Sequence, residues 1–304
     1  MRRDIDHLPL RKQIELERVE AILHAEFDEA LKASTKPAVR RGRILKIILF
    51  GSHARGEQVE DAKGGYFSDY DLLIIVNDQA LADMSVYWYA AEDRMLRDPE
   101  IRTPVSFIVH SLEEVNSALG QGQYFFSDIV RDGIALYELR GTKASGNSRF
   151  RLIEPKPQTP EVARKMAQDY FDQSFSGAQD FLHGYADALQ RGNLNKAAFD
   201  LHQAVERLYT TVLLTLTLYG PKTHNIKFLR SLAEEQDTRL IDAWPRATKQ
   251  DRRLFELLKR AYVEARYSKH YTITADELAW LGERAEALKS VVETICTEAL
   301  RKDG

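Results

Sequence analysis

The sequence predicts an α+β chain, in which an N-terminal mixed sheet with flanking helices is followed by a C-terminal all-α helical bundle. Three observations lead to this prediction. The chain has 304 residues, enough for two hydrophobic cores, because single domains rarely grow to ~300 residues. Short, β-rich apolar runs alternate with helical patterns over residues 1–140. Beyond residue 160 only helical periodicity occurs.

The N-terminal part is predicted to hold one long helix and four strands. Residues 10–31 carry apolar side chains at helical spacing and should cover one face of a sheet. ILKIILF, residues 44–50, is an almost entirely apolar run that ends at Gly51-Ser52, as expected of a buried strand followed by a turn. Further strands are predicted at residues 70–76, 103–110 and 133–137, with a helix at 81–96.

The C-terminal part is predicted to be a bundle of four or five helices. Residues 141–160 are rich in Gly, Ser, Pro and charge, and are interpreted as a linker between domains at 1–140 and 161–304. The breaks at Arg191-Gly192-Asn193, Gly220-Pro221 and Trp244-Pro245 separate the helices. The predicted helices are residues 160–190, 194–219, 227–236, 249–267 and 276–301.

Composition excludes several classes of protein. Apolar residues make up 44% and charged residues 29% of the chain, which is far from a disordered composition. The 43 Lys and Arg are balanced by 46 Asp and Glu, so no global positive field attracts nucleic acid. The single cysteine, Cys296, excludes a disulfide framework and indicates a reducing, cytoplasmic compartment. No export signal or membrane span is expected.

Two short segments carry the residues of a candidate phosphate and metal site. Gly51 permits close backbone approach at the end of the first strand, Ser52 supplies a hydroxyl, and Arg55 can bind a triphosphate through charge-assisted hydrogen bonds. Asp69 and Asp71 project from the same face of the next strand, where two adjacent carboxylates favour Mg²⁺. The alternatives are an ordinary turn and a solvated loop at the entry to the strand.

These segments, LFGSHARGE followed by SDYDLLIIV, resemble the minimal nucleotidyltransferases of the polymerase-β-like superfamily. The resemblance covers residues 44–137. It implies that Asp69 and Asp71 bind Mg²⁺ and act in catalysis. It also implies that Gly51, Ser52 and the neighbouring Ser68 belong to the site that binds the nucleoside triphosphate.

The chain departs from the pattern of this family in two places. The spacer from His53 to Ser68 has sixteen residues, includes Gly64-Gly65, and is longer than the family usually shows. In the third strand, active members carry another carboxylate, and the matching position here is Ser106. A serine is a poor base at neutral pH, so either Glu113 or Glu114 replaces the carboxylate in space or the transferase is slow or inactive.

Three segments of the C-terminal part resemble the HEPN (higher eukaryotes and prokaryotes nucleotide-binding) domain. They are LHQAVERLY (201–209), THNI (223–226) and ARYSKHY (265–271). In many HEPN domains, which are ribonucleases, four to six residues separate the active Arg from the active His. Here only three residues separate Arg266 from His270, although a continuous helix would place both on one face. The candidate site comprises Arg266, Lys269, His270 and Tyr271, which His202 and His224 could join. The alternatives are nucleotide binding without cleavage and the capping of a helix end.

The resemblance also implies partners. Related paired systems are toxin–antitoxin modules in which the transferase adds AMP to a tyrosine, for which Tyr271 or Tyr267 is the candidate here. HEPN-like bundles commonly self-associate, so a homodimer through the helical domain is expected.

Three functions therefore remain open. The leading hypothesis is a Mg²⁺-dependent nucleotidyltransferase that transfers NMP from an NTP, with ATP as the expected donor, while the helical domain binds the acceptor or a nucleotide. The acceptor is an antibiotic, a protein tyrosine or an RNA end. The second hypothesis is a nucleotide-binding regulatory protein, which Ser106 favours, and the third is a ribonuclease acting through Arg266 and His270.

Overall fold

The computed structural model describes residues 1–34, 39–58, 60–61, 66–139, 141, 150–156, 159–221 and 223–302. It contains two compact units, one of residues 1–61 and 67–158, the other of residues 62–66 and 159–304. Much of the predicted linker and the Gly64-Gly65 pair lie outside the described residues. No helix in the described ranges is both long and apolar enough to cross a membrane.

A four-stranded mixed sheet forms the centre of the first unit, in the order β5-β4-β1-β6. β1 is antiparallel to both β4 and β6, and β4 is parallel to β5. A separate two-stranded sheet pairs β2 with β3. The strands are β1 (Ile44–Phe50), β2 (Glu60–Asp61), β3 (Tyr66–Phe67), β4 (Tyr70–Val76), β5 (Val105–Ser111) and β6 (Ile134–Glu138).

Helices cover the two faces of this sheet. The helix α1 (Leu10–Ala33) packs its apolar stripe, including Val19 and Leu23, on the face that carries Ile47, Tyr70 and Leu72. On the other face, the ring of Phe125 meets that of Phe50 at 5.5 Å. The remaining helices are α2 (Gly51–Arg55), α3 (Tyr89–Arg97), α4 (Leu112–Gly120) and α5 (Tyr124–Asp132).

The predicted elements of this unit are largely confirmed, with two differences. The predicted helix at 81–96 is divided into a 3₁₀ turn (Gln79–Ala82), a π-helix (Met84–Trp88) and α3. Asp83 caps the π-helix by accepting hydrogen bonds from backbone N–H groups, which starts a new helix inside the predicted one. The helices α4 and α5 were not predicted, although the capping box of Ser111 and Glu114 is a start signal for α4.

Within the second unit, residues 159–302 form helices joined by short turns wherever they are described, and the predicted bundle is confirmed. Its helices are α6 (Pro160–Gln190), α7 (Leu194–Thr217), α8 (Ile226–Gln236), α9 (Lys249–Tyr267) and α10 (Ala275–Lys302). α7 packs against the other four, and its face includes the buried Leu201, Val205 and Leu208. Asn193, Asn225 and the capping box of Thr248 begin three of these helices, which explains why their start points were predictable.

Candidate functional site

The sheet brings the two N-terminal segments together at one end. In the antiparallel pairing of β1 with β4, Phe50 lies opposite Asp71. Gly51 and Ser52 follow Phe50, and Tyr70 and Asp69 precede Asp71, so the turn continues alongside the start of β4. Paired residues in adjacent strands have Cα atoms about 4.5–5.5 Å apart. The phosphate-binding candidates and the two carboxylates are therefore neighbours in space.

Asp69 and Asp71 lie on the sheet face opposite α1. Tyr70 between them belongs to the core under α1, and successive side chains of a strand point to opposite faces. Both carboxylates are buried, with Asp69 5% and Asp71 1% exposed. This burial contradicts the alternative in which they stand in a solvated loop.

The turn before the carboxylates has a backbone that favours glycine. Gly51 has φ 71°, in the left-handed region, where a side chain would be strained. Ser52 and Ser68 are both buried. Arg55, predicted to bind a triphosphate, is exposed, and its Nε donates to Glu57 Oε2 at 2.7 Å.

His53 belongs to this site but was not among the predicted site residues. It is fully buried, its Nε2–H donates to the Ser68 carbonyl at 3.1 Å, and its ring lies 4.6 Å from that of Tyr70. His53 thus connects the phosphate turn to the residue before Asp69. Because this contact spans the long spacer, local sequence gave no indication of it.

Ser106 lies in β5, beside the two carboxylates. In the parallel pairing of β4 with β5, Ser106 lies opposite Asp71, and its Oγ donates to Asp69 Oδ2 at 3.3 Å. Within the described ranges, no group of three or more His, Cys, Asp or Glu side chains is arranged to hold a metal ion. The site therefore offers two carboxylates with a hydroxyl beside them.

The suggestion that Glu113 or Glu114 replaces the third carboxylate is wrong. Both follow Ser111, which pairs with Val76 at the far end of β4. Ser111 lies five residue steps along β5 from Ser106, a distance of about 16 Å. Glu114 also accepts from the N–H of Ser111 and lies 3.0 Å from His110 Nδ1, so it caps α4.

In the second unit, the expectation that Arg266 and His270 share a face of one helix is wrong. α9 ends at Tyr267 because the backbone of Ser268 is extended, so His270 lies in the turn beyond the helix. Lys269 and His270 are exposed. Tyr271 is buried, its hydroxyl donates to the Leu257 carbonyl at 3.2 Å, and burial raises its pKa.

Arg266 instead lies among aromatic rings and histidines. Its guanidinium carbon is 4.4 Å from the centre of the Tyr262 ring, and the ring of His224 stacks on Tyr262 at 3.9 Å. The ring of His202 is 5.4 Å from Tyr262. The structure thus brings His202 and His224 to the same aromatic ring as Arg266.

Comparison with known proteins supports both halves of the prediction at a coarse level. Residues 172–299 match the model of the HEPN domain. The chain is also 50% identical over 50 residues to a protein of Methanocaldococcus jannaschii named as a putative protein adenylyltransferase. Those residues make up 16% of this chain and 39% of that relative. The chain therefore carries a HEPN domain at residues 172–299 and shares a further likeness with a named adenylyltransferase, as expected of a nucleotidyltransferase joined to a HEPN domain.

Proposed function

We propose that this protein is a Mg²⁺-dependent nucleotidyltransferase that uses ATP and transfers AMP to a hydroxyl group of a protein, while the helical domain holds the acceptor or a nucleotide. The observation that carries the proposal is the pairing of Phe50 with Asp71, which sets the Gly51-Ser52 turn beside two buried carboxylates. A turn that binds phosphate next to a pair of metal-binding carboxylates is the arrangement that phosphoryl-group chemistry requires.

The residues present fit Mg²⁺. Asp69 and Asp71, with the hydroxyl of Ser106 beside Asp69, offer oxygen ligands only. Mg²⁺ is commonly held by one or two carboxylates and takes its other ligands from water and substrate phosphates, so a third protein carboxylate is not needed for binding. When bound, the ion would neutralise charge on the phosphates.

The proposed reaction forms one bond and breaks one. The acceptor oxygen bonds to the α-phosphorus of ATP, the bond from that phosphorus to the pyrophosphate breaks, and pyrophosphate leaves. Gly51 and Ser52 hold the phosphates, and Asp69 and Asp71 would hold the Mg²⁺ that offsets the charge of these phosphates. Ser106 is a poor base, so the acceptor proton passes to water, which makes the transfer slow.

The choice of acceptor is supported by the name of the M. jannaschii relative, which describes a protein adenylyltransferase. Of the two candidate tyrosines, Tyr267 is the better acceptor, since it is 75% exposed. The buried hydroxyl of Tyr271 is already donated to a carbonyl. A homodimer through the helical domain and a toxin–antitoxin role are consistent with this acceptor and belong to the same proposal.

Incubation of the intact protein with ATP and Mg²⁺ tests the proposal. We expect an AMP-sized mass increment that is lost in Tyr267→Phe, retained in Tyr271→Phe and absent when EDTA replaces Mg²⁺. Retention of the increment in Tyr267→Phe would exclude that tyrosine as the acceptor. A wild-type spectrum with no increment and no pyrophosphate release would contradict transfer to this chain.

A catalytically weak nucleotide-binding protein is the second candidate, because the hydroxyl of Ser106 occupies the position of a catalytic carboxylate. It shares the ATP site and differs only in turnover, so pyrophosphate release separates the two.

A further inference from the structure

The two parts of the site at the end of the sheet lie on separate elements. The phosphate turn, Gly51-Ser52, begins α2, whereas the two carboxylates lie at the start of β4. Phe50 pairs with Asp71, but Ser52 and Asp69 both lie beyond this last pair of the two strands. A metal ion that contacts a carboxylate and a phosphate together needs the two parts at a fixed separation. Contacts that fix this separation therefore affect how well metal and nucleotide bind together.

The side chain of His53 connects the two parts. His53 is the third residue of α2, directly after the phosphate turn, and it is fully buried. Its Nε2–H donates to the carbonyl of Ser68 at 3.1 Å. Because a peptide group is planar, a bond to this carbonyl also orients the N–H group of Asp69. One imidazole thus joins the turn to the peptide group that precedes the first carboxylate.

The ring of His53 lies against Tyr70, which is itself held at both ends. The two ring centres are 4.6 Å apart. The backbone N–H of Tyr70 donates to the Pro104 carbonyl at 2.8 Å, and its hydroxyl donates to Glu15 Oε2 at 3.1 Å. Tyr70 belongs to the core under α1, on the face opposite the two carboxylates. The His53 ring therefore packs on the α1 side of the sheet and leaves the carboxylate face to the ligands.

The N-terminal segment holds the backbone of α2. His7 Nε2–H donates to the His53 carbonyl at 2.8 Å, and the guanidinium of Arg2 donates to the carbonyl of Ala54. The carbonyl of Arg2 in turn accepts from the N–H of Ala135 in β6 at 2.9 Å. α2 is thus held by residues that are themselves joined to the sheet.

We propose that His53, anchored by His7, is a positioning residue that couples the binding of Mg²⁺ to the binding of ATP. This inference rests on the proposed nucleotidyltransferase function. The Nε2–H bond holds Ser68 and Asp69 beside Ser52, so that one ion can contact a carboxylate and a phosphate together. Without that bond the two parts move independently, and binding at one assists binding at the other less. His53 acts through Ser68, since it is fully buried on the other side of the sheet from the carboxylates.

Two dissociation constants of the full-length protein measure this coupling. One is that of ATP at saturating Mg²⁺, from calorimetric titration, and the other is that of Mn²⁺ alone, from its electron paramagnetic resonance signal. His53→Phe keeps a ring against Tyr70 and removes the N–H. We expect it to weaken ATP binding about tenfold, the scale of one lost hydrogen bond. Mn²⁺ binding should change less than about twofold, because the spacing of Asp69 and Asp71 is set within one strand.

Two further variants separate the hydrogen bond from general damage. In His53→Gln, an amide N–H can reach the Ser68 carbonyl, so ATP binding should return to within about threefold of that of the unmodified protein. His24→Phe is the matched control, because it makes the same exchange at a ring that packs against Tyr137 in the same unit. It should leave both dissociation constants unchanged. Thermal unfolding checks the fold of each variant.

Two results would overturn the proposal. One is full ATP affinity in His53→Phe, and the other is an equal loss of Mn²⁺ and ATP binding that His53→Gln does not restore. Should His53→Phe fail to fold, His7→Ala replaces it, since His7 is exposed. His7→Ala should weaken ATP binding and leave Mn²⁺ binding intact, and unchanged ATP affinity there would equally refute the coupling. An unmodified protein that binds no ATP would instead contradict the proposed function itself.

Discussion

Asp71→Asn is expected to reduce nucleotidyl transfer at least about 10³-fold, because it removes a charge on which both Mg²⁺ and the phosphates depend. Asp71 is 1% exposed and paired with Phe50 at the start of β4, so an amide of the same shape should leave the fold intact. Pyrophosphate release from ATP measures the loss, and thermal unfolding checks the fold.

Asp93→Asn is the control for this substitution. Asp93 lies on α3 in a surface ion pair with Arg97, and pairs of this kind contribute about 0–1 kcal/mol to stability. The Asp93→Asn variant should have the same activity as the unmodified protein. Comparable loss in both variants would show that the rate reports general destabilisation and not the carboxylate site.

Ser106→Asp is expected to increase transfer by about 10²-fold, because it supplies a third carboxylate and a positioned base typically contributes ~10²–10⁴-fold. The register already sets residue 106 opposite Asp71, and Ser106 Oγ is 3.3 Å from Asp69 Oδ2. The added carboxylate therefore enters the site without movement of the backbone. Single-turnover transfer with labelled ATP at saturating Mg²⁺ measures the gain.

Ser106→Asn separates charge from size. Asn has the shape of Asp and no charge, so it should give no increase in rate. An equal rate for Ser106→Asp and the unmodified protein would mean that the proton of the acceptor is not what limits the reaction, and that the serine is not the cause of slow transfer.

Much of the fold could be predicted because its signals are local. ILKIILF and YDLLIIV are apolar runs bounded by turn residues, and both strands have the predicted ends, at residues 44–50 and 70–76. The helices at 160–190 and 249–267 also begin and end as predicted, since Pro160 and the capping Thr248 mark their starts.

The parts that were missed depend on contacts between distant segments. His53 belongs to the site because it donates a hydrogen bond to the carbonyl of Ser68. The hydrogen bond from His224 to Glu206 likewise joins residues on separate elements. Spacing placed Arg266 and His270 on one helix face, but α9 ends between them. Glu114 lies far from Asp69 and Asp71. This distance follows from the parallel register of β4 and β5, which no local sequence pattern specifies.

Titration of ATP into the full-length protein, with Mg²⁺ and then with EDTA, tests the central claim most directly. We predict binding that requires Mg²⁺ and is lost in the double variant Asp69→Ala/Asp71→Ala. ATP binding that persists unchanged in that variant, or that is the same in EDTA, would contradict a Mg²⁺-dependent nucleotide site at the end of the sheet.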